Sequence, residues 1–204
     1  MQKPKAILYD YDGMLTGSVR FSDKYSAEFG VDIAEMGSFF NEPFKQCLLG
    51  KADLKGELAK VLPAWKWHGS VDELLEYWFS IGELNTEVFS SIEKLKVQGV
   101  IVCLATNQEK YRIRYVTTKY ALDKAFDEIF SCVNLGVYKH SAEGLEKIYQ
   151  TLTEKHSITD KGEIMYWDDR EDNVENLLKE GFNGQLYKDY VGFKETLNAS
   201  GLQL

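Results

Sequence analysis

The chain has 204 residues, 44% of them hydrophobic and 27% charged, which is ordinary for a globular protein with a buried core. Its net charge of -8 argues against nucleic acid or an anionic membrane as partner. Cys47, Cys103 and Cys132 form no C-x-x-C pair and sit at no ligand spacing from His68, His140 or His156, which points to reduced core cysteines rather than zinc.

The first predicted strand is Lys5–Tyr9, a short apolar run that ends at Asp10. From about Val19 to Leu84 the pattern turns helical. Leu54, Leu58 and Val61 share one face of a helix, and Leu74, Leu75, Trp78 and Phe79 share another. No strand alternates with these helices, so the region reads as a helical insert. Trp65 and Trp67, near Pro63 and His68, fall in a predicted loop and are candidates to meet a ligand; the other aromatics of the insert read as its own core.

Alternation of strand and helix resumes at Thr86. A helix carrying Val88, Ile92 and Leu95 stops near Gly99, and Val100–Ala105 is a second strand. A helix follows to Tyr120. Glu128–Phe130 is the third strand, 142–154 a helix, Glu163–Trp167 the fourth strand, and Gly184–Tyr187 the fifth after a helix ending at Glu180. The implied fold is α/β, a doubly wound parallel sheet with a small helical cap. Residues 1–17 and 86–204 would form the core, and 18–85 the cap. No run is apolar enough to cross a bilayer and no signal-peptide pattern is visible, so a cytoplasmic protein is expected.

In an open parallel sheet, ligands bind beyond the carboxyl ends of the strands. Asp10, Thr106 and Asp168 each follow a strand's last apolar residue and should therefore converge. Asp10 and Asp12, with Gly13 to break the strand, can serve as nucleophile and as proton donor and acceptor, although a solvated turn has the same composition. Thr106 and Asn107 can bind phosphate oxygens or merely cap a helix. Asp168 and Asp169 suit magnesium, with Asp172 or Asn173 capping the next helix. Lys139 can neutralise a transferring phosphoryl group, or simply face solvent like most lysines.

The series D-x-D-G at Asp10, T-N at Thr106, the lone Lys139, and D-D-x-x-x-N at Asp168 resembles the haloacid dehalogenase superfamily. Phe126–Ser131, the approach Gly136–Lys139, and the stretch from Asp168 through Gly181 agree with it, and the insert after the first motif is similar to a C1-type cap. The resemblance implies a magnesium-dependent phosphomonoester hydrolase acting on a small phosphorylated metabolite, with a sugar phosphate as one example. Asp10 would form an aspartyl-phosphate and Asp12 would be the acid/base, its backbone carbonyl meeting the metal. Thr106, Asn107 and Lys139 would hold the phosphoryl, and Asp168 or Asp169 would complete the Mg2+ site with Asp10. A phosphomutase or a non-catalytic regulatory protein on this fold are the alternatives. Asp12 speaks against a dehalogenase, because a departing halide needs no proton. Met14, Gly17 and His140 depart from the usual pattern without removing a reacting group. His140 is expected to be an exposed loop residue.

Overall fold

The computed structural model describes residues 3–204. Among these residues, five strands form one parallel sheet: β1 (Ala6–Tyr9), β2 (Ile101–Thr106), β3 (Glu128–Ser131), β4 (Ile164–Asp168) and β5 (Asn183–Leu186). Their spatial order is β3-β2-β1-β4-β5. β1 is central and buried along its whole length, which is why it reads as an unbroken apolar run rather than an alternating one.

Successive side chains of a strand point to opposite faces, and the two faces carry separate cores. Ile7, Tyr9, Val102, Leu104, Met165 and Trp167 face one side. There they meet helices α6 (Thr86–Val97), α7 (Lys110–Tyr120) and α12 (Tyr190–Ala199), through residues such as Ile92, Val116 and Phe193. Ala6, Leu8, Cys103, Ala105, Ile164 and Tyr166 face the other side. They pack on Leu145, Ile148 and Leu152 of α10 (Ala142–His156) and on Leu177 of α11 (Glu171–Lys179). All three cysteines are free and buried. The sequence reading missed α12, whose apolar residues are few and separated by Gly192, Lys194 and Glu195. It also left out two one-turn helices, α8 (Leu122–Ala125) and α9 (Cys132–Leu135).

Between β1 and α6 the chain forms five helices: α1 (Phe21–Phe29), α2 (Ile33–Asn41), α3 (Pro43–Leu48), α4 (Leu54–Val61) and α5 (Val71–Ser80). Asp53 caps α4, and Ser70 with Glu73 forms a reciprocal capping box on α5. These helices enclose their own aromatic core. Phe21 stacks on Trp78 at 4.6 Å between centroids, and Trp65 meets Phe39 edge-on at 5.1 Å. Trp65 is thus a core residue rather than a ligand contact: it is buried, and the Tyr25 hydroxyl donates to its carbonyl at 2.9 Å. Trp67 is partly buried against the same cluster and donates its ring N–H to the Ser70 carbonyl.

The two chain segments joining this layer to the sheet run side by side. Thr16 bridges Leu84, and the Asn85 N–H donates to the Leu15 carbonyl at 2.8 Å. Asp53 reaches across to the core layer, pairing with Lys110 and accepting from the Tyr111 hydroxyl at 2.8 Å. Among the described residues, no helix is long and apolar enough to cross a membrane.

Candidate active site

From β1 the chain adds β2 and β3 outward on one side of the sheet, then crosses back to place β4 on the other side of β1. The crevice between β1 and β4 is therefore the point where the connections diverge, and the last residues of both strands open into it. Asp10 follows β1 directly, and Asp168 ends β4.

Lys139 arrives from the loop between α9 and α10. That loop can lie close to α10 because residue 144 is glycine: a Cβ there would overlap the Tyr138 carbonyl oxygen. The Asn107 side chain braces the same loop by accepting the Lys139 N–H at 3.0 Å. Lys139 is 2% exposed, and its ammonium lies 2.8 Å from Asp10 Oδ2 and 2.8 Å from Asp168 Oδ2. It is not a solvent-facing lysine.

One cation shared between two buried carboxylates cannot satisfy both equally. Asp168 has further donors: the Arg170 N–H at 3.1 Å and Asn173 Nδ2 at 2.8 Å, both on Oδ1. Burial opposes its charge, yet Lys139 and these donors hold its carboxyl below the usual range. Among the described residues, Asp10 has only Lys139 and the Tyr11 N–H, which lies 2.6 Å from Oδ1. Burial pushes Asp10 up to about 7, with Lys139 opposing and the charge of Asp168 adding to the rise. Burial and then Asp168 also raise Asp169.

One oxygen each of Asp10, Asp168 and Asp169 lies within 4.8 Å of the others. Three carboxylates against one lysine leave an excess of negative charge that a divalent cation would relieve, and the donors are the hard oxygens magnesium prefers. Asp169 is seated by Gly13, which has φ +81° and carries no Cβ; a Cβ there would overlap the Asp169 carboxylate. The sequence reading gave Gly13 the role of breaking the strand, and the structure adds this close approach.

The Asp12 carboxylate is not part of that cluster. Arg112 grips it through two bonds, 2.7 Å to Oδ1 and 2.9 Å to Oδ2, and Gln108 donates to Oδ2 at 2.6 Å. Neither Gln108 nor Arg112 was singled out from the sequence. Arg112 lies in the first turn of α7 and Gln108 just before its cap Glu109, so helical spacing offers no signal for the pair.

Other expectations need correcting. Glu109 caps α7, not Thr106 or Asn107. Residue 170 occupies the cap position of α11 and makes no side-chain cap bond; Asp172 pairs with Arg170 instead, and Asn173 serves Asp168. His140 is half-buried rather than exposed. Its Nδ1 lies 3.2 Å from Asn107 Nδ2, and burial with the neighbouring Lys139 lowers its pKa. Met14 is buried in the core.

A cavity of about 780 Å3 lies over the strand ends. Asp10, Asp12, Thr106, Asn107, Lys139 and Asp169 all line it. Asp168 sits behind them, 1% exposed and reached through Lys139. Phe21, Phe40, Trp78 and Ile81 of the helical layer form the opposite wall.

No protein-family model matches the chain, and no curated protein matches it. Solved structures do. The HAD family enzyme bt-2542 from Bacteroides thetaiotaomicron superposes with a TM-score of 0.77 at 17% identity, over 94% of this chain and 98% of that one. The chain has the haloacid dehalogenase fold. A predicted HAD-like family hydrolase from Porphyromonas gingivalis gives a TM-score of 0.74 at 16% identity over 97% of both chains. The L-2-haloacid dehalogenase from Xanthobacter autotrophicus gives 0.60 at 15% identity, over 95% of this chain and 82% of that one. This fold thus serves more than one chemistry among the neighbours, so the residues of the site must choose between them.

Proposed function

We propose that this chain is a magnesium-dependent phosphomonoester hydrolase acting on a small phosphorylated metabolite. The observation that carries the reading is the Asp10 carboxylate at the end of β1, held through Oδ2 by the buried Lys139 beside two further carboxylates. The bt-2542 enzyme has been crystallised with magnesium and inorganic phosphate, which supports the same ligands here.

Asp10 and Asp169 would hold Mg2+ together with the Asp12 backbone carbonyl. Asp168, whose Oδ2 holds Lys139, would act through that lysine. The bound cation supplies charge neutralisation for a phosphate dianion entering an acidic site. Thr106, Asn107 and Lys139 would receive the phosphoryl oxygens. An Asp10 oxygen attacks phosphorus, the bond from phosphorus to the leaving oxygen breaks, and Asp12 gives that oxygen a proton. Asp12 then takes a proton from the water that attacks the aspartyl-phosphate. Inorganic phosphate leaves and Asp10 is restored. Halide displacement needs no such proton, so the presence of Asp12 favours phosphate esters over haloacids.

The test is phosphate release from a panel of phosphomonoesters with the purified chain and magnesium. Release from at least one ester, lost on Asp10→Asn, is the expected result. No release from any, or halide release from a 2-haloacid instead, overturns it.

A further inference from the structure

A general acid/base must present one carboxylate oxygen to the reacting atoms, and a short aspartate on a loop has several rotamers in which it does not. In this protein the Asp12 side chain is 48% exposed, so packing alone does not fix it. Its orientation is set by Arg112 and Gln108. Arg112 is 17% exposed and meets both Asp12 oxygens in a fork, the geometry that only a planar guanidinium supplies.

The fork is itself held. Gln108 is buried; it donates to Asp12 Oδ2 and accepts from Arg112 Nη1 at 3.0 Å, closing a three-membered ring of side chains. The Arg112 backbone N–H donates to Glu109 Oε1 at 2.6 Å, which anchors the residue in the first turn of α7. The guanidinium lies 5.7 Å from the centre of the Tyr11 ring. Its Nε is buried and has no hydrogen-bond partner among the described residues, where Asp12 is the carboxylate that pairs with the guanidinium.

We infer that Arg112, steadied by Gln108, is the positioning residue for Asp12: with Gln108 and Arg112 Nη1 both on Oδ2, Oδ1 accepts one bond and is the oxygen left to meet reacting atoms in the cavity that Asp12 lines. This rests on the phosphatase reading above. Arg112 also lines the cavity, so the rival role is direct contact with substrate, and the two roles have different kinetic signatures.

The experiment is a double-mutant cycle on the full chain with magnesium, using p-nitrophenyl phosphate and an alkyl phosphate. Arg112→Met should lower kcat for the alkyl ester about 10- to 100-fold, the scale expected when a reacting group is misplaced by about an ångström, with KM nearly unchanged. With the aryl ester it should release a burst of p-nitrophenol and leave phosphoprotein visible by intact mass, because only the second, Asp12-dependent step has slowed. In the Asp12→Ala background Arg112→Met should cost nothing further. Arg112→Lys, which keeps the charge without the fork, should recover only part of the rate. If Arg112→Met does not fold, Gln108→Ala carries the same cycle with a smaller effect of the same pattern. Additive losses in the double variant, or a raised KM with unchanged kcat, overturn the inference in favour of substrate contact. A wild-type chain that releases no phosphate overturns the phosphatase reading, and the Arg112 role with it; phosphate release with additive losses overturns the Arg112 role alone.

Discussion

The strand-end site and the helical layer above it are both buried, and they are built on opposite terms. The helical layer excludes water with rings: Phe21, Tyr25, Phe39, Trp65 and Trp78 pack on one another, and of these only Phe21 and Trp78 also face the cavity. The strand ends hold Asp10, Lys139 and Asp168 at or below 8% exposure, where charge is costly and the balance of charges is incomplete. An element whose contacts account for its composition is structural. One whose charges do not balance is waiting for an ion or a substrate.

The sharpest way to break this contrast is Asp10→Asn. The shape is kept and the nucleophile lost, so phosphate release should fall more than about a thousandfold. The thermal midpoint should hold or rise, since a buried carboxylate pushed up to about 7 beside Asp168 is no source of stability. Retention of a tenth of the rate would end covalent catalysis at this residue.

Metal removal tests the charge imbalance itself. EDTA should abolish turnover and magnesium restore it, with calcium a poor substitute because it tolerates looser geometry. Magnesium should also raise the midpoint of thermal unfolding, as any ligand of the folded state does. Full activity without a divalent ion would show that Lys139 alone suffices.

The helical layer should respond to the opposite kind of change. Trp65→Ala should destabilise by about 3–5 kcal/mol in urea unfolding, the scale for emptying a buried aromatic site. A loss below about 1 kcal/mol, within the range of ordinary surface substitutions, would mean that the ring is not core.

The smallest effect is at the seam between the two regions. Asp53 caps α4 and pairs with Lys110 and Tyr111 of α7, partners that hold its carboxyl well below the usual range. A carboxylate lowered on folding stabilises above its unfolded pKa of about 4, and that stabilisation fades as pH falls through the folded value. Asp53→Asn keeps a good cap and loses the ion pair. It should cost about 0.2–1 kcal/mol at pH 7, the range for exposed pairs, and progressively less as the pH drops below about 4. A constant difference across that range would remove the pair as its cause.

How much of this was legible follows from which forces are local. β1 could be read because a central parallel strand is apolar on both faces, and Asp10 because a charge ending such a run is conspicuous. Thr106, Lys139 and Asp168 could be placed because parallel topology sends every strand's carboxyl end to one edge. Trp65 was misread because its loop looks solvent-facing in sequence, while five helices close around it in space. His140 was taken as exposed because nothing local shows that Asn107 lies across from it.

Sequence alone determined the alternation of strand and helix, the position of the insert, and the carboxylates that meet at the sheet edge, since periodicity and the ends of apolar runs are properties of neighbouring residues. Only the tertiary structure decided that Lys139 bridges Asp10 and Asp168, that Gly13 seats Asp169, and that Arg112 takes hold of Asp12 across 100 residues of chain. Those pairings depend on strand order and on how closely backbones approach, and neither is written in any local stretch of residues.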